Sequence, residues 1–148
     1  MDDIDRKILN LIQREFPICA EPFRAIGGKL GLGEEEVLER IRRLKADGVI
    51  RRIGAVFDPK KLGFVSTLCA ARVPEERIRD FVDVVNNYTG VTHNYRRNHD
   101  YNIWFTFIAD GPEALERALE EIKAKTGVSD IISMPAKRTF KINATFEL

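Results

Sequence analysis

The sequence lacks clustered cysteines, long apolar runs and any large excess of positive charge, and each absence removes a class of protein. Its two cysteines, Cys19 and Cys69, stand 50 positions apart with no CxxC pair. That spacing provides neither a disulfide framework nor a zinc site, so buried thiols in a reducing compartment are expected. Apolar runs extend only a handful of residues, far short of the roughly 20 needed to cross a bilayer. The chain opens Met1-Asp2-Asp3-Ile4-Asp5, acidic where a signal peptide is basic and then apolar. A cytoplasmic protein without membrane contact is expected. A Gly-rich phosphate loop, a Ser/His/Asp order and an HExxH pair are all missing, so nucleotide hydrolysis, serine hydrolysis and zinc proteolysis lack support. The net charge is only +1, and residues 1–54 hold 11 Lys and Arg against 10 Asp and Glu. A domain that grips DNA usually carries a clear basic excess, because phosphate contacts supply most of the affinity. DNA binding is therefore not expected.

What remains is ordinary globular material: 148 residues, 44% hydrophobic and 32% charged, enough for two small modules. Ile4, Ile8, Leu11 and Ile12 have helical spacing over 4–15, with Asp2 or Asp3 as cap and Pro17 beyond the end. A second helix is expected from Pro22 to Leu30, closed by Gly31. A third begins after Gly33, with Val37, Ile41 and Leu44 as its apolar stripe up to Gly48. Three short helices with a tight glycine turn between the last two read as a helix-turn-helix over 1–54. Its recognition helix opens Gly33-Glu34-Glu35-Glu36, three carboxylates where a phosphate-lined groove would lie. Residues 49–56 look strand-like and suggest a wing, and 55–61 a linker or wing strand.

From 62 to 148 the periodicity changes. Phe64–Val73 reads as a strand, and a helix follows Pro74 with Ile78, Phe81, Val82 and Val85 on one face. Strands are expected at Val91–Arg96 and Tyr101–Ile108, then a helix from Pro112 stopped by Gly127. More strand material lies over Ile131–Ile142, interrupted at Pro135. The order β-α-β-β-α-β is ferredoxin-like, an α+β arrangement with both helices on one face of an antiparallel sheet. The other face then needs a ligand or a second chain, and a dimer is expected.

The hairpin between the second and third strands is unusual. Both histidines, the only Trp and two of the three Tyr fall within positions 93–104. With a turn of two or four residues, position i is expected opposite 197 − i, which sets His93 against Trp104 and Tyr95 against Asn102 on one face. A turn of odd length would break that parity. Ile103, Phe105 and Phe107 then take the core side. Arginine forks bind carboxylates, aromatic planes cover a flat apolar ligand, and imidazole exchanges protons near neutral pH or binds a metal. The combination points to a flat, polyanionic, metal-bearing ligand. Lys137, Arg138 and Lys141 on the last strand add further cations, equally readable as edge-strand lysines that deter aggregation.

The stretches Asp5-Arg6-Lys7-Ile8-Leu9 and Gly48-Val49-Ile50-Arg51-Arg52-Ile53-Gly54, with the C-terminal element order, resemble the Lrp/AsnC family over nearly the whole chain. Two more, Leu62–Ala71 and the His93-Asn94-Tyr95-Arg96 and Tyr101-Asn102-Ile103-Trp104-Phe105 motifs, resemble the siroheme decarboxylase subunits of heme biosynthesis. The resemblance implies a carboxy-lyase that removes CO2 from two acetate side chains of siroheme, giving didecarboxysiroheme. It also implies a heterodimer with a paralogous subunit. The macrocycle serves as electron sink, so no cofactor separate from the iron tetrapyrrole substrate is expected. His93 or His99 is expected to donate the proton, or to ligate the substrate's iron. Tyr95 and Trp104 are expected to pack the ring, and Arg96, Arg97, Asn102 and Lys137 to complete the binding face. A ligand-responsive transcription regulator and a non-catalytic tetrapyrrole sensor are the competing readings.

Overall fold

In the computed structural model, which describes residues 1–141 and 145–148, the chain forms two compact units. The first comprises Met1–Ala55 with Lys141–Leu148, the second Val56–Phe140.

In the first unit three helices form as their patterns predict: α1 (Asp3–Arg14), α2 (Pro22–Leu30) and α3 (Glu34–Ala46). Asp2 caps α1 in a reciprocal box, its side chain accepting from the Asp5 amide while Asp5 accepts from the Asp2 amide. Gly31 ends α2 at φ 71°, a left-handed turn that only glycine adopts cheaply. Ile8, Ile26, Val37, Ile41 and Leu44 converge on one core. The wing does not form: residues 49–56 make no strand, and only Ile50 is buried, its amide donating to the Leu44 carbonyl. An alternating segment needs a neighbouring strand to pair with, and none is present here among the described residues.

The expected C-terminal boundary also shifts. Asn10 and Gln13 of α1 exchange hydrogen bonds with the backbone of Leu148 and Phe146, drawing the last residues into the first unit. Of the strand expected over 131–142, only Ile131–Pro135 forms. Residues 136–141 are not strand, and Ile142 lies outside the described residues.

The second unit has the ferredoxin-like order β1 (Val65–Ala71), α4 (Ile78–Asn86), β2 (Val91–Arg96), β3 (Ile103–Ala109), α5 (Pro112–Thr126), β4 (Ile131–Pro135). The sheet is antiparallel with strand order β2-β3-β1-β4. Pro74 is followed by a short 3-10 turn, Glu75–Arg77, before α4 begins. Phe81 and Val85 of α4 and Leu119 and Ile122 of α5 pack on Phe105 and Ile103. Thr67, Cys69 and Ala71 of β1 share that covered side and are buried. The alternate residues of the sheet face away from the helices. Leu68, Ile132 and Met134 there are about two-fifths exposed, so the open face predicted from the pattern exists.

Candidate functional site

Strand β2 enters the sheet through Gly90, whose backbone lies flat against β3. A Cβ there would sit 2.2 Å from the Ile108 carbonyl oxygen and 2.4 Å from the Phe107 ring. Just beyond, a register irregularity between Val91 and His93 marks a bulge, a device that bends a strand and re-aims the side chains after it. From His93 on the pairing is regular: His93 opposite Thr106, Tyr95 opposite Trp104, Arg96 opposite Ile103. The expected register is therefore two residues off, because the four-residue loop enclosed by the Arg97–Asn102 backbone bond is 98–101, centred one position later than expected. A shift of two preserves side-chain parity. His93, Tyr95 and Trp104 share the open face as expected, and Ile103, Phe105 and Phe107 are buried beneath the helices.

Along β2 the side chains form a column. The His93 and Tyr95 rings stack with centroids 6.0 Å apart and planes 24° apart. The Arg97 guanidinium lies 5.5 Å from the Tyr95 ring centroid, a cation over an aromatic face. Trp104 stands beside Tyr95 on β3, with its indole N–H donating to the Tyr101 carbonyl at 2.7 Å. That bond fixes the indole plane and leaves its surface half open.

Arg96 does not join this group. By strand alternation it lies on the helix side, where it makes an ion pair with Glu75 at 2.7 Å. Of the two arginines expected to bind carboxylates, only Arg97 reaches the open face. Asn102 is also otherwise engaged: its side chain accepts from the Val73 amide at 3.0 Å and donates to the Val73 carbonyl at 2.8 Å. It splices the start of β3 to the end of β1. Lys137 follows β4, the sheet edge opposite β2. Three strand spacings, roughly 14 Å, separate that edge from the His93 column.

The two histidines differ in a way their sequence neighbours did not announce. His93 Nδ1 lies 3.0 Å from the Thr92 hydroxyl, which can donate or accept. His99 Nδ1 accepts from the Tyr101 backbone amide at 3.1 Å. An amide only donates, so a neutral His99 ring must carry its proton on Nε2. His99 also stacks on Tyr101, 6.3 Å between centroids.

A second cluster, not anticipated from the sequence, lies at this same end of the sheet. The Tyr101 hydroxyl donates to Asp130 at 2.9 Å, Arg72 Nε lies 3.3 Å from the other Asp130 oxygen, and the Arg72 guanidinium stands 5.2 Å from the Tyr101 ring centroid. Hydrogen bonding to the Asp130 carboxylate raises the Tyr101 phenol above its ordinary value. Strand alternation within Phe64–Val73 places Arg72 on the side of Leu68. What the pattern could not show is that β4 would bring Asp130 beside it.

A groove of about 480 Å³, lined by Phe64, Tyr88, Gly90, Phe107 and Ala114 among others, opens elsewhere in this unit. It includes none of His93, Tyr95, Arg97 or Trp104. Tyr95 on the aromatic-cationic face is 51% exposed, so that face is open to solvent. No group of three or more potential metal ligands occurs among the described residues.

In the first unit, two of the three arginines of α3 are committed internally, and Arg42 is exposed. Arg40 bonds Asp2, Asp5 and Glu36 at 2.7, 3.0 and 3.0 Å, and Arg43 bonds both oxygens of Asp5 at 2.8 Å. No helix of the described residues is long and apolar enough to cross a membrane.

Comparison with known proteins matches both units. Residues 5–51 fit the siroheme decarboxylase NirDL-like HTH domain, and residues 61–141 the AsnC-like ligand binding domain. The siroheme decarboxylase alpha subunit of Desulfovibrio desulfuricans is 51% identical over 100% of this chain and 85% of its own length. The crystal structure of the siroheme decarboxylase NirDL in co-complex with an iron-uroporphyrin III analogue superposes with TM-score 0.73 at 31% identity, over 96% of this chain and 48% of that one. An AsnC family transcriptional regulator from Agrobacterium tumefaciens shares the architecture with TM-score 0.80 at 27% identity, over 99% and 96% of the two chains. The regulator and the decarboxylase share the frame. This chain belongs to the siroheme decarboxylase subunit family, built on the AsnC-type pairing of a helix-turn-helix with a ferredoxin-like domain.

Proposed function

We propose that this chain is one subunit of an enzyme that converts siroheme to didecarboxysiroheme by removing CO2 from two acetate side chains, acting in heme biosynthesis with a paralogous subunit. The observation that carries this reading is the open sheet face, where His93, Tyr95, Arg97 and Trp104 stand together on β2 and β3.

The chemistry asks little of a protein beyond placement. Cleavage of the bond between the acetate methylene and its carboxylate releases CO2 and leaves the electron pair on the methylene carbon. The attached pyrrole and macrocycle delocalise that pair until a proton arrives and converts the carbanion to a methyl group. No cofactor separate from the substrate is needed. Tyr95 and Trp104 supply planes for the ring, and Arg97 a fork for a carboxylate that stays on the product. A cation on the departing carboxylate would stabilise the ground state and slow the reaction.

The hydrogen bonds divide the histidines. His93 is the proton donor in this reading, since the Thr92 hydroxyl can accept from Nδ1–H when the ring carries both protons. His99, with Nδ1 taken by the Tyr101 amide, offers Nε2–H as a hydrogen-bond donor. It can ligate the substrate's iron only by giving up that arrangement. A platform open to solvent does not exclude water, so a second surface must close over it. The paralogous subunit is the natural candidate, and the NirDL chain, about twice as long as this one, has room for two such units.

The test is anaerobic incubation of siroheme with the full chain, alone and with its companion subunit, followed by mass analysis. Two losses of CO2 per macrocycle are expected with the pair. Binding without mass loss would favour a tetrapyrrole sensor, and no binding would remove the tetrapyrrole reading.

A further inference from the structure

We propose that Arg72, held in place by Asp130 and Tyr101, forms a second carboxylate-binding subsite on the open face, complementary to Arg97. The inference rests on the tetrapyrrole reading and adds to it a residue and a role that the hairpin motifs do not contain.

The placement follows from the sheet. The Arg97 amide donates to the Asn102 carbonyl, and the Arg72 amide donates to the Asp130 carbonyl. With the β1–β3 register extended by one residue beyond Ala71 and Ile103, Arg97, Asn102, Arg72 and Asp130 form one row across the end of the sheet. Arg72 follows Ala70 and Leu68 by strand alternation, and Arg97 follows Tyr95 and His93, so both belong to the open face. Their backbones are two strand spacings apart, about 10 Å, with Trp104 on the strand between. That separation suits a flat macrocycle with carboxylates around its rim better than a single small acid.

The side-chain contacts prepare Arg72 for such a ligand. Asp130 takes the Nε edge of the guanidinium at 3.3 Å, which leaves the two Nη groups as the fork that matches a carboxylate. Tyr101 lies beneath the guanidinium plane and also fixes the Asp130 oxygen that Arg72 does not use. The Arg72 side chain is still 55% exposed and Asp130 48%. An exposed ion pair contributes little to folding, so stability alone gives small reason for three polar side chains to be braced together here. Arg96, by contrast, has its Nη2 engaged by both oxygens of Glu75 on the other side of the sheet.

The experiment measures equilibrium binding by absorbance on the full chain, alone and with its companion subunit. One probe is iron uroporphyrin, which carries acetate and propionate on every pyrrole. The other is iron mesoporphyrin, which keeps only a pair of propionates. Arg72→Ala is expected to weaken iron uroporphyrin binding roughly 10- to 100-fold, the worth of a charge-assisted contact, and iron mesoporphyrin binding clearly less, because two carboxylates cannot occupy a subsite in every orientation of the ring as a full rim of them does. Arg72→Lys should recover only part of the loss, since an ammonium cannot reproduce the fork. Arg96→Ala should change neither probe. Equal losses on both probes would mean a merely structural role and overturn the assignment. Unchanged affinity in Arg72→Ala, with the unaltered protein binding iron uroporphyrin, would overturn it while leaving the tetrapyrrole reading intact. Failure of the unaltered protein to bind either probe would instead overturn that reading.

Discussion

Replacing Asp5 with Asn tests whether the ion pairs between α1 and α3 hold the first unit together. The Asp5 side chain is 1% exposed. It accepts from the Asp2 amide, from Arg40 at 3.0 Å and from Arg43 through both oxygens at 2.8 Å. Breaking a buried pair by removing one partner typically costs 3–5 kcal/mol. Here Arg40 keeps Asp2 and Glu36, and the Arg43 side chain is half exposed, so a loss of about 2–3 kcal/mol is expected. For a small domain that lowers Tm by roughly 10 °C or more. The same cluster sets an acid limit. Hydrogen bonding from Arg40 brings Asp2 down to about 2 from an ordinary 3.8. Burial alone would raise Asp5, but the Asp2 amide and the two arginines outweigh it and leave Asp5 lowered. Groups lowered on folding stabilise fully above their unfolded values and lose that contribution as pH falls through the folded ones. The Asp2 contribution should therefore fade between about pH 4 and pH 2 in the unaltered protein. Thermal melts of both proteins across that range provide the assay. An Asp5→Asn variant with unchanged Tm at neutral pH would refute the reasoning.

Gly90→Ala should destabilise the second unit by about 1–3 kcal/mol or more through overpacking against Ile108 and Phe107; an unaltered denaturation midpoint would contradict the close approach. Burial pushes the Cys69 thiol up to about 12, and Cys19 is exposed, so a thiol reagent at pH 8 should modify one cysteine quickly and the other only on unfolding. Two fast thiols would count against the buried position of Cys69. His93→Ala should reduce turnover by roughly 10²–10⁴-fold with little loss of tetrapyrrole affinity, whereas His99→Ala should chiefly weaken binding; the reverse pattern would exchange their roles.

Much of this was legible in the residues, and the parts that were not share a cause. The three N-terminal helices carry their own punctuation in Asp2, Gly31 and the Val37-Ile41-Leu44 stripe, all of it local. The order of strands and helices in the second unit was readable for the same reason, and so was the open face. Residues 49–56 misled because alternation records only that a segment could be a strand; whether a partner lies beside it is decided by the rest of the chain. Arg96 misled because adjacent residues of a strand point to opposite faces, so the pair Arg96-Arg97 could never serve one ligand surface together. Arg72 and Asp130 escaped notice because they are 58 positions apart and meet only through the β1–β4 pairing.

The comparison with the regulator fold explains why one frame can support either activity. In an AsnC-type chain the sheet's open face is available by construction, since both helices cover the other side. What such a frame can do depends on where its polar side chains are directed. In this chain Arg40 and Arg43 of α3 pair with Asp2, Asp5 and Glu36, Arg42 stays exposed, and the first turn of that helix carries Glu34, Glu35 and Glu36. Both features reduce the positive charge that this helix can offer to phosphates. The bulge after Gly90 and the four-residue loop after Arg97 bring an imidazole, a phenol, an indole and a guanidinium onto one face, a composition that packing alone does not require. One frame thus serves a regulator and a decarboxylase without a new fold. In this chain ion pairs occupy two arginines of α3, and the aromatic and cationic side chains lie on a sheet surface that the fold leaves uncovered.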